Sequence, residues 1–477
     1  MPSGRSLTTI AAALLLLHGT PAPAQTSWTT FGFDHERTGY NPEETTLSPG
    51  NVGGLTAKWN VDLGGTITAQ PVLAGNLVYA ATGLGKVYAL DASTGTAVWS
   101  VQLGTTSVDC GDFDQNTVGV IGAPTIDPAN NRIFVVSGDD LLHTLDLGTG
   151  NELAIYPLQL MYPANNAPRT FVCASPTYSP ANNALYLTTA SACETTPFHG
   201  QVMRVDVTPS GPPKVLRRWF PNGFSGPDGG GIWGPGGVSI GPYEKAVFAG
   251  TGNAIEGQEN QLYSDHVVRL DLNLNVYAAD GPDLGGAFDF DFGSTPMLYQ
   301  PPGCPPQLAV MNKNGALYIY NRNAIGSGAM QVLQISVFNS SGVEGLFVGD
   351  PVYDPVFNLI YTGNSQDNDA GTFLHGLIAL VPQADCTLAL AWQKQVGING
   401  GVGLYLNPVT PPIAANGVVY YATSIHGHVY AFDGSTGQQL WDSGLLTEAG
   451  IYAAPTVVNG WLFVATFDNK IYAFGLP

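Results

Sequence analysis

The sequence has few charged residues and very few basic ones. Only 11% of its 477 residues are charged, and 16 Lys plus Arg stand against 36 Asp plus Glu, giving a formal net charge of −20. So acidic a surface repels a phosphate backbone, which argues against nucleic-acid binding. No long segment has apolar residues at helical spacing, which argues against a helical bundle or a doubly wound α/β fold.

The sequence also lacks an apolar run long enough to span a bilayer as a helix. The run at residues 10–17 follows Arg5 and precedes the small-residue motif A-P-A at residues 22–24. This order is typical of a secretory signal peptide cleaved before Gln25. We therefore expect a signal peptide over residues 1–24, no lipid anchor, no membrane span, and a soluble protein that is periplasmic or secreted.

Cysteine is scarce, with five in the chain, at Cys110, Cys173, Cys193, Cys304 and Cys386. In an exported protein this number permits two disulfides and one free thiol. We favour Cys173–Cys193 and Cys304–Cys386, although sequence alone does not fix the connectivity. No C-x-x-C-H motif occurs, which excludes covalently attached haem.

Glycine and proline are abundant, at 60 and 35 residues, as expected for short strands joined by many turns. One unit recurs, as NLVYAATGLGKVYALDASTGTAVW at 76–99, GVVYYATSIHGHVYAFDGSTGQQLW at 417–441 and GWLFVATFDNKIYAF at 460–474, with weaker copies at 132–150, 184–206, 246–271, 307–321 and 359–392. Each copy follows a strand marked by a proline: Pro71, Pro124, Pro176, Pro235, Pro296, Pro351, Pro412 and Pro455. Units at spacings of roughly 45 to 60 residues predict an all-β, eight-bladed propeller of four-stranded antiparallel blades.

The two ends of the propeller are predicted to meet in one blade. The chain ends after the third strand of its last unit, and residues 55–63 (LTAKWNVDL) supply the missing outer strand, so the propeller covers 55–477 after an N-terminal segment at 25–54. This closure removes two sheet edges. We interpret the tryptophans at strand ends as contacts between blades: Trp59, Trp99, Trp219, Trp392 and Trp441.

The A-L-D-x-x-T-G-x-x-x-W unit resembles the repeat of the pyrroloquinoline quinone (PQQ) dehydrogenases, which are eight-bladed propellers, and also that of cofactor-free assembly scaffolds. The most informative stretch is residues 229–253, GGGIWGPGGVSIGPYEKAVFAGTGN. Within GGGIWG, Trp233 resembles the residue on which PQQ stacks at the propeller axis. Asn253, in GTGN, is similar to a family ligand of Ca²⁺.

Four further residues match the family's motifs in the family's order. Glu194, in ACETTPFHG, resembles a Ca²⁺ ligand, and Asp289, in FDFDFGSTPML, resembles the catalytic base, with Asp291 as a near alternative. Lys313, in NKNGALYIYNR, corresponds to the basic residue beside the quinone oxygens. Cys110 stands where the family has a cysteine pair against PQQ, and for it we favour a disulfide or a buried thiol over a cofactor contact.

The resemblance implies an exported PQQ- and Ca²⁺-dependent dehydrogenase that oxidises a small-molecule alcohol and passes electrons to a separate carrier. Oxygen ligands from Glu194, Asn253 and Asp289 suit Ca²⁺. A carboxylate would take the alcohol proton, and Lys313 would stabilise charge on the reduced quinone. The alternative is a cofactor-free scaffold that binds protein partners or acts in envelope assembly. A hydrolase or lyase using the axial carboxylates has no motif behind it.

Overall fold

The computed structural model describes residue 1 and residues 26–111, 113–153, 157–161, 169–241, 243, 245–255, 262–282, 289–337, 349–400 and 409–477. Apart from Met1, the expected signal peptide lies outside the described residues. Within the described part of the chain, no helix is both long and apolar enough to cross a membrane. Its helical elements are short 3-10 turns at Val52–Gly54, Asp114–Asn116, Pro128–Asn130, Pro180–Asn182 and Ile325–Ser327.

Eight antiparallel sheets form the blades, which confirms the predicted eight-bladed all-β propeller. In chain order the strands before the first blade are β1 (Tyr40–Asn41) and β2 (Thr56–Asp62). Blade one contains β3 (Val72–Ala74), β4 (Leu77–Ala81), β5 (Lys86–Asp91) and β6 (Ala97–Gln102), and the ribbon of β7 (Thr106–Ser107) and β8 (Thr117–Val118) follows it. Blade two contains β9 (Thr125–Asp127), β10 (Arg132–Val136), β11 (Leu141–Asp146) and β12 (Leu158–Gln159). Blade three contains β13 (Thr177–Ser179), β14 (Ala184–Thr189), β15 (Gln201–Asp206) and β16 (Lys214–Trp219). Blade four contains β17 (Ser239–Gly241), β18 (Ala246–Gly250), β19 (Val267–Asp271) and β20 (Val276–Asp280). Blade five contains β21 (Met297–Tyr299), β22 (Gln307–Met311), β23 (Ala316–Asn321) and β24 (Gln331–Gln334). Blade six contains β25 (Val352–Asp354), β26 (Leu359–Asn364), β27 (Gly376–Pro382) and β28 (Leu388–Lys394). Blade seven contains β29 (Ile413–Ala415), β30 (Val418–Ala422), β31 (Val429–Asp433) and β32 (Gln439–Asp442), with β1 beside β29. Blade eight contains β33 (Thr456–Val458), β34 (Trp461–Ala465), β35 (Lys470–Gly475) and β2.

Burial falls from the axis outward, which explains the composition of the strands. The second strand of a blade is covered on both faces by neighbouring blades, so all five residues of β18 and of β30 are buried and apolar or small. The fourth strand lies at the rim, and β2 and β6 contain no buried residue. Each blade alone would leave both faces of its sheet exposed, so the hydrophobic effect stabilises the closed ring.

Blade eight closes as predicted, because β2 pairs antiparallel with β35 and places Trp59 opposite Ala473. The indole N–H of Trp59 donates to the carbonyl of Ala92 in blade one at 3.0 Å. Its ring covers Gly95, whose φ of +72° and 2.7 Å clearance leave no room for a Cβ. Trp99, Trp392 and Trp441 donate to backbone carbonyls of the next blade in the same way, which confirms their role in blade packing.

The N-terminal segment hydrogen-bonds every blade. The backbone of residues 28–39 bonds the first strands of blades one, two, four, five, six and seven, at Leu73, Ile126, Ile240, Leu298, Tyr353 and Ala414. Arg37 reaches blade three at Thr177, and the Asn41 amide reaches Val457 in blade eight. No motif in the sequence predicts this arrangement, since most of these bonds are made by the backbone.

The structure corrects one of the two expected disulfides. Cys110 pairs with Cys193, with their Cα atoms 5.7 Å apart, and Cys173 is a free thiol, so the expected Cys173–Cys193 pair is wrong. The reason is tertiary: the connection into blade two carries Cys110 to the loop of blade three that holds Cys193. The Cys304–Cys386 pair is confirmed.

Candidate functional site

All the candidate residues lie on connections at one end of the propeller. In an up-and-down blade, the loop between the second and third strands leaves at the same end as the connection to the next blade. Glu194, Asn253 and Lys313 lie on second-to-third-strand loops of blades three, four and five, and Trp233 and Asp289 lie on connections between blades. The fold therefore brings these separated motifs to one face.

The glycine run before Trp233 is wedged between two neighbouring loops. Gly229 forms isolated bridges with His199 of blade three and Ala254 of blade four. Gly230 N–H donates to the carbonyl of Asn253 at 2.8 Å. A Cβ on Gly229, where φ is +109°, would lie 2.6 Å from that carbonyl oxygen. Only glycine permits this approach, and the close fit holds the segment that leads into Trp233.

Asp291 is the hydrogen-bonding centre of the site, and it is only 5% exposed. Its Oδ2 accepts from Trp233 Nε1 at 2.9 Å and lies 2.9 Å from Lys313 Nζ. Its Oδ1 accepts from the backbone N–H of Asn253 at 2.6 Å. Gly252 leaves room for this carboxylate, because a Cβ there would lie 2.5 Å from Oδ1. Asp291 thus fixes the stacking candidate, the amide-bearing loop and the lysine together.

Lys313 lies between the two aspartates and over the indole. Its ammonium forms ion pairs with Asp289 and Asp291 and lies 5.1 Å from the ring centroid of Trp233. Burial alone would lower the pKa of Lys313, but the charges of Asp291 and Asp289 and hydrogen bonds to both raise it above its usual value. The lysine is therefore a fixed positive charge at neutral pH.

Asp289 is more exposed than Asp291 and less constrained. Its side chain is 29% exposed, against 7% for Asp291. Burial raises the pKa of Asp289 to about 6, the charge of Asp291 adds to the rise, and Lys313 opposes it. A carboxylate that titrates near neutral pH at an open position can accept a proton from a ligand. Of the two alternatives left by the sequence, Asp289 has the properties of a base and Asp291 those of an anchor.

Glu194 and Asn253 meet at the rim of this group. Glu194 is exposed as a residue, and its carboxylate accepts a hydrogen bond from the Asn253 side chain. Desolvation of the carboxyl and the charge of Asp291 raise the pKa of Glu194, while the Asn253 bond and Lys313 lower it. The two metal-ligand candidates therefore lie together and within electrostatic reach of Asp291.

Sequence reasoning missed Asp265, which precedes β19. Burial raises the pKa of Asp265 to about 8, and the charges of Asp291, Asp289 and Glu194 contribute to the rise. Its Oδ1 is buried and has no hydrogen-bond partner among the described residues, and its backbone has a φ of +56°. The segment has no motif that would distinguish it, since its carboxylate reaches the site only through the folding of blade four.

An axial cavity of about 180 Å³ has Trp233 in its wall. Blades on all sides contribute to it, and its lining includes Phe31, Gln70, Cys173, Ser175 and Tyr452. The described residues that line it are all uncharged, and many are apolar. Such a cavity suits a flat ring system held against the indole face.

Cys110 does not lie in this wall. It is 3% exposed, packs with Val118, Phe171 and Ala192, and forms the disulfide to Cys193 described above. Its thiol is thereby consumed. The neighbouring Cys173 lines the cavity instead.

The donor set fits a hard cation. Ca²⁺ prefers oxygen donors, which are available from the carboxylates of Glu194, Asp289 and Asp265 and from the amide of Asn253. Among the described residues, Asp265 Oδ1 has no hydrogen-bond partner, so it is available to a cation. No cluster of three or more His, Cys, Asp or Glu arranged to hold a metal is found within the described ranges. A cation bound here would therefore need oxygen ligands besides these carboxylates, from the Asn253 amide and from a bound ligand.

A second cluster, on blade two, resembles a hydrolase triad. Ser137 Oγ lies 3.1 Å from His143 Nε2, and His143 Nδ1 lies 2.8 Å from Glu152. Ser137, however, is 3% exposed, and its hydroxyl donates a hydrogen bond to Asp139 Oδ1 at 2.5 Å. A buried serine hydrogen-bonded to a carboxylate is not a nucleophile, so we interpret this cluster as structural.

Two family models match parts of the chain. Residues 28–157 match the PQQ model, described as the β-propeller domain of glucose, ethanol and alcohol dehydrogenases. Residues 383–475 match a model described as outer membrane protein assembly factor BamB. Together with the eight blades, these matches confirm the predicted resemblance to propellers of the PQQ-repeat type.

Particular relatives are dehydrogenases. Polyvinylalcohol dehydrogenase from Pseudomonas sp is 23% identical over 88% of this chain and 70% of its own length. Quinohemoprotein alcohol dehydrogenase from Comamonas testosteroni has a TM-score of 0.69 at 16% identity, covering 94% of this chain and 80% of its own. A europium-containing methanol dehydrogenase has a TM-score of 0.70 at 15% identity, covering 94% of this chain and 98% of its own. Likeness at such identities shows the shared fold.

Proposed function

We propose that this chain is an exported quinoprotein dehydrogenase that oxidises an alcohol with PQQ and a hard cation, and delivers the electrons to a separate carrier. The observation that supports it most is the meeting of Trp233, Asp289, Asp291 and Lys313 beside the Glu194–Asn253 pair. A scaffold does not need a stacking surface, a fixed cation and a titratable base at one place. The named dehydrogenases of similar fold support the same class of reaction.

Asp289 would act as the base. Its carboxylate would accept the hydroxyl proton of the alcohol as hydride leaves the carbon that bears the hydroxyl group. Its raised pKa, about 6, keeps it ionised at neutral pH yet basic enough to take a proton. Lys313, paired with it, moderates its basicity and would stabilise negative charge on an oxygen nearby.

Asp291 and Trp233 would position the ligands. The hydrogen bond from Trp233 Nε1 fixes the plane of the indole at the cavity wall, so the ring offers one defined face for stacking. Glu194, Asn253 and Asp289 would hold the cation. When bound, the quinone supplies the hydride acceptor and the cation polarises it.

The substrate class is an alcohol, as for the relatives by name. The polyvinylalcohol dehydrogenase suggests that secondary alcohols, including polymeric ones, belong in the substrate screen beside methanol and ethanol. Since the sequence has no C-x-x-C-H motif, the chain supplies no covalently attached haem, and a separate acceptor takes the electrons. Its two disulfides fit an oxidising compartment, which supports export.

The test is a titration of purified protein with PQQ, with and without Ca²⁺ or Eu³⁺, followed by tryptophan fluorescence. We expect saturable, cation-dependent quenching that Trp233→Phe weakens. The matched control is Trp461→Phe on blade eight, whose indole stacks on Phe463 rather than at the site and whose loss should leave the quenching unchanged. Turnover of alcohols with an artificial electron acceptor follows. Absence of quenching at tens of micromolar PQQ would refute the proposal.

The second candidate is a cofactor-free scaffold for protein binding or envelope assembly. Its specific support is the match of residues 383–475 to the assembly-factor model. In addition, none of the described residues that line the cavity is charged, whereas an anionic cofactor is stabilised by cationic groups. This function predicts no response to PQQ and a protein ligand instead.

A further inference from the structure

The Cys110–Cys193 disulfide is directly adjacent in sequence to Glu194. Cys110 lies on the connection into blade two and Cys193 on a loop of blade three, so the bond joins two neighbouring blades at the face of the candidate site. The spacing between the two cysteines is 83 residues. A covalent link at this position restrains the backbone that carries the Glu194 carboxylate.

The two ends of the disulfide differ in burial. Cys110 is held in a small core cluster with Val118, Phe171 and Ala192, whereas Cys193 and Glu194 are exposed. The bond thus ties an exposed loop to a buried, well-packed anchor. Exposed loops make few buried contacts and open at a low free-energy cost, so a covalent restraint has most effect there.

The backbone at Glu194 also requires restraint. Cys193 and Glu194 are consecutive residues in the left-handed region, with φ of +46° and +50°. Residues other than glycine rarely adopt this backbone conformation, and the surrounding structure must hold them in it. Local hydrogen bonds close the turn: the carbonyl of Ala192 accepts from the Thr195 N–H at 3.1 Å and from Thr195 Oγ1 at 2.9 Å, and Ser191 Oγ donates to the carbonyl of Thr195 at 3.0 Å. The disulfide acts on the same turn from outside.

We propose that the Cys110–Cys193 disulfide is a positioning element for Glu194, which directs its carboxylate to Asn253 and so sets the affinity of the site for its cation. This inference rests on the proposed function, because it concerns the same cation. Cys110 and Cys193 do not themselves contact the cation. They act through the backbone of Glu194.

The free thiol of Cys173 lies beside the disulfide, and the test must prevent it from forming a new disulfide. Cys173 packs against the cluster that contains Cys110. Burial raises the pKa of the Cys173 thiol to about 12, so little thiolate is present at neutral pH to attack the disulfide. After the Cys110–Cys193 bond is reduced, however, Cys173 could pair with one of the two released thiols. Every variant in the test therefore also carries Cys173→Ser.

The experiment compares two disulfide deletions in the mature chain. Cys110→Ser/Cys193→Ser removes the proposed positioning bond, and Cys304→Ser/Cys386→Ser removes a bond of almost equal loop length, 82 against 83 residues, on other blades. By loop entropy both should lower the melting temperature to a similar extent. Eu³⁺ affinity, measured by its luminescence, should fall roughly 10- to 100-fold only in the first variant, as for loss of residues that orient metal ligands.

A double-mutant cycle separates positioning from general destabilisation. Glu194→Gln with the disulfide intact should lose Eu³⁺ affinity, and adding Cys110→Ser/Cys193→Ser should lose little more, since both changes remove the same contribution. If the first deletion fails to fold, reduction of the folded Cys304→Ser/Cys386→Ser protein with a phosphine gives the same comparison. Equal Eu³⁺ affinity with and without Cys110–Cys193, or additive losses, overturns the positioning role alone. A parent protein that binds neither Eu³⁺, Ca²⁺ nor PQQ overturns the proposed function and this inference together.

Discussion

The indole N–H of Trp233 donates a hydrogen bond to Asp291 Oδ2 at 2.9 Å, although 57 residues lie between them in the chain. The bond joins the connection before blade four to the connection before blade five. It makes the orientation of the indole depend on a carboxylate from another blade. Replacement of Trp233 should therefore affect ligand binding in a different way from replacement of Asp291.

Replacement of Trp233 should separate stacking from hydrogen bonding. Trp233→Ala removes the flat surface, and we expect PQQ affinity to fall about tenfold, since an aromatic contact contributes roughly 0.5–1.5 kcal/mol. Trp233→His keeps a smaller ring and should lose less. Competition titration with labelled ligand measures both values without relying on the fluorescence of Trp233. Equal affinity of the alanine variant and the parent would rule out stacking.

Replacement by asparagine should have different effects at Asp289 and at Asp291: loss of turnover at Asp289 and loss of stability at Asp291. Asp291→Asn leaves buried Lys313 with one counter-ion and should reduce stability by about 3 kcal/mol, seen as a lower melting temperature. Asp289→Asn retains the fold but removes the base, so turnover should fall roughly 10²- to 10⁴-fold. Circular dichroism melts and steady-state rates test the pair. Similar rates in Asp289→Asn and the parent would assign the base to another residue.

The pH profile of kcat/KM should show an acid limb from Asp289. Burial raises the pKa of Asp289 to about 6, and only its ionised form accepts a proton, so activity is present above that pH and lost below it. A bound cation would move the limb lower, because it favours the carboxylate. Rates in overlapping buffers give the apparent pKa. A limb centred above pH 7 would point to a different group.

Arg37 should be essential to stability although it lies outside the propeller repeats. It is 1% exposed and donates to Phe31 O at 2.6 Å, Gly236 O at 2.7 Å and Thr177 Oγ1 at 2.5 Å. Arg37→Lys offers a single point donor in place of this fork and should lower stability by about 2 kcal/mol or more.

Arg217→Lys is the matched control, because Arg217 is exposed at the rim on β16. Its substitution should change stability by less than about 0.5 kcal/mol. Denaturant unfolding of the three proteins gives the comparison. If Arg37→Lys were as stable as Arg217→Lys, the N-terminal segment would not depend on this side chain.

Asp140 should make the protein less stable as pH rises. Burial raises the pKa of Asp140 to about 8, and the hydrogen bond from the Val172 N–H opposes the shift. In the described part of the chain, Asp140 Oδ2 has no hydrogen-bond partner. Between about pH 4 and 8 the folded state keeps a proton that the unfolded state has lost. Unfolding then becomes easier by up to about 1.4 kcal/mol per pH unit.

Asp140→Asn removes this titration, so its stability relative to the parent should increase from pH 5 to pH 8. Asp62→Asn, at an exposed position on β2, should show no such trend. Urea unfolding at both pH values provides the measurement. A parent whose stability relative to Asp140→Asn is the same at pH 5 and pH 8 would contradict the assignment of a buried proton to Asp140.

Much of the fold follows from local sequence. Alternating apolar strands, turn residues and a strand-end tryptophan recur in each unit, and each of these signals depends on residues close in the chain. The position of Trp59 was enough to predict that β2 completes blade eight. The resemblance to the family's motifs also marked Trp233, Asn253 and Lys313, since the residues of each motif are close together in the chain.

Other features were decided by tertiary structure. The pairing of Cys110 with Cys193 depends on which loops adjacent blades bring together, and the carboxylate of Asp265 reaches the site without any motif. The roles of Asp289 and Asp291, two residues apart, differ only because Asp291 faces the donors Trp233 Nε1 and Asn253 N–H. The sequence by itself determined the repeating blade and its number, since these are properties of local patterning. The closed ring decided how deeply each site side chain is buried, which charges lie near it and which groups it bonds. These properties arise from residues that only ring closure brings together.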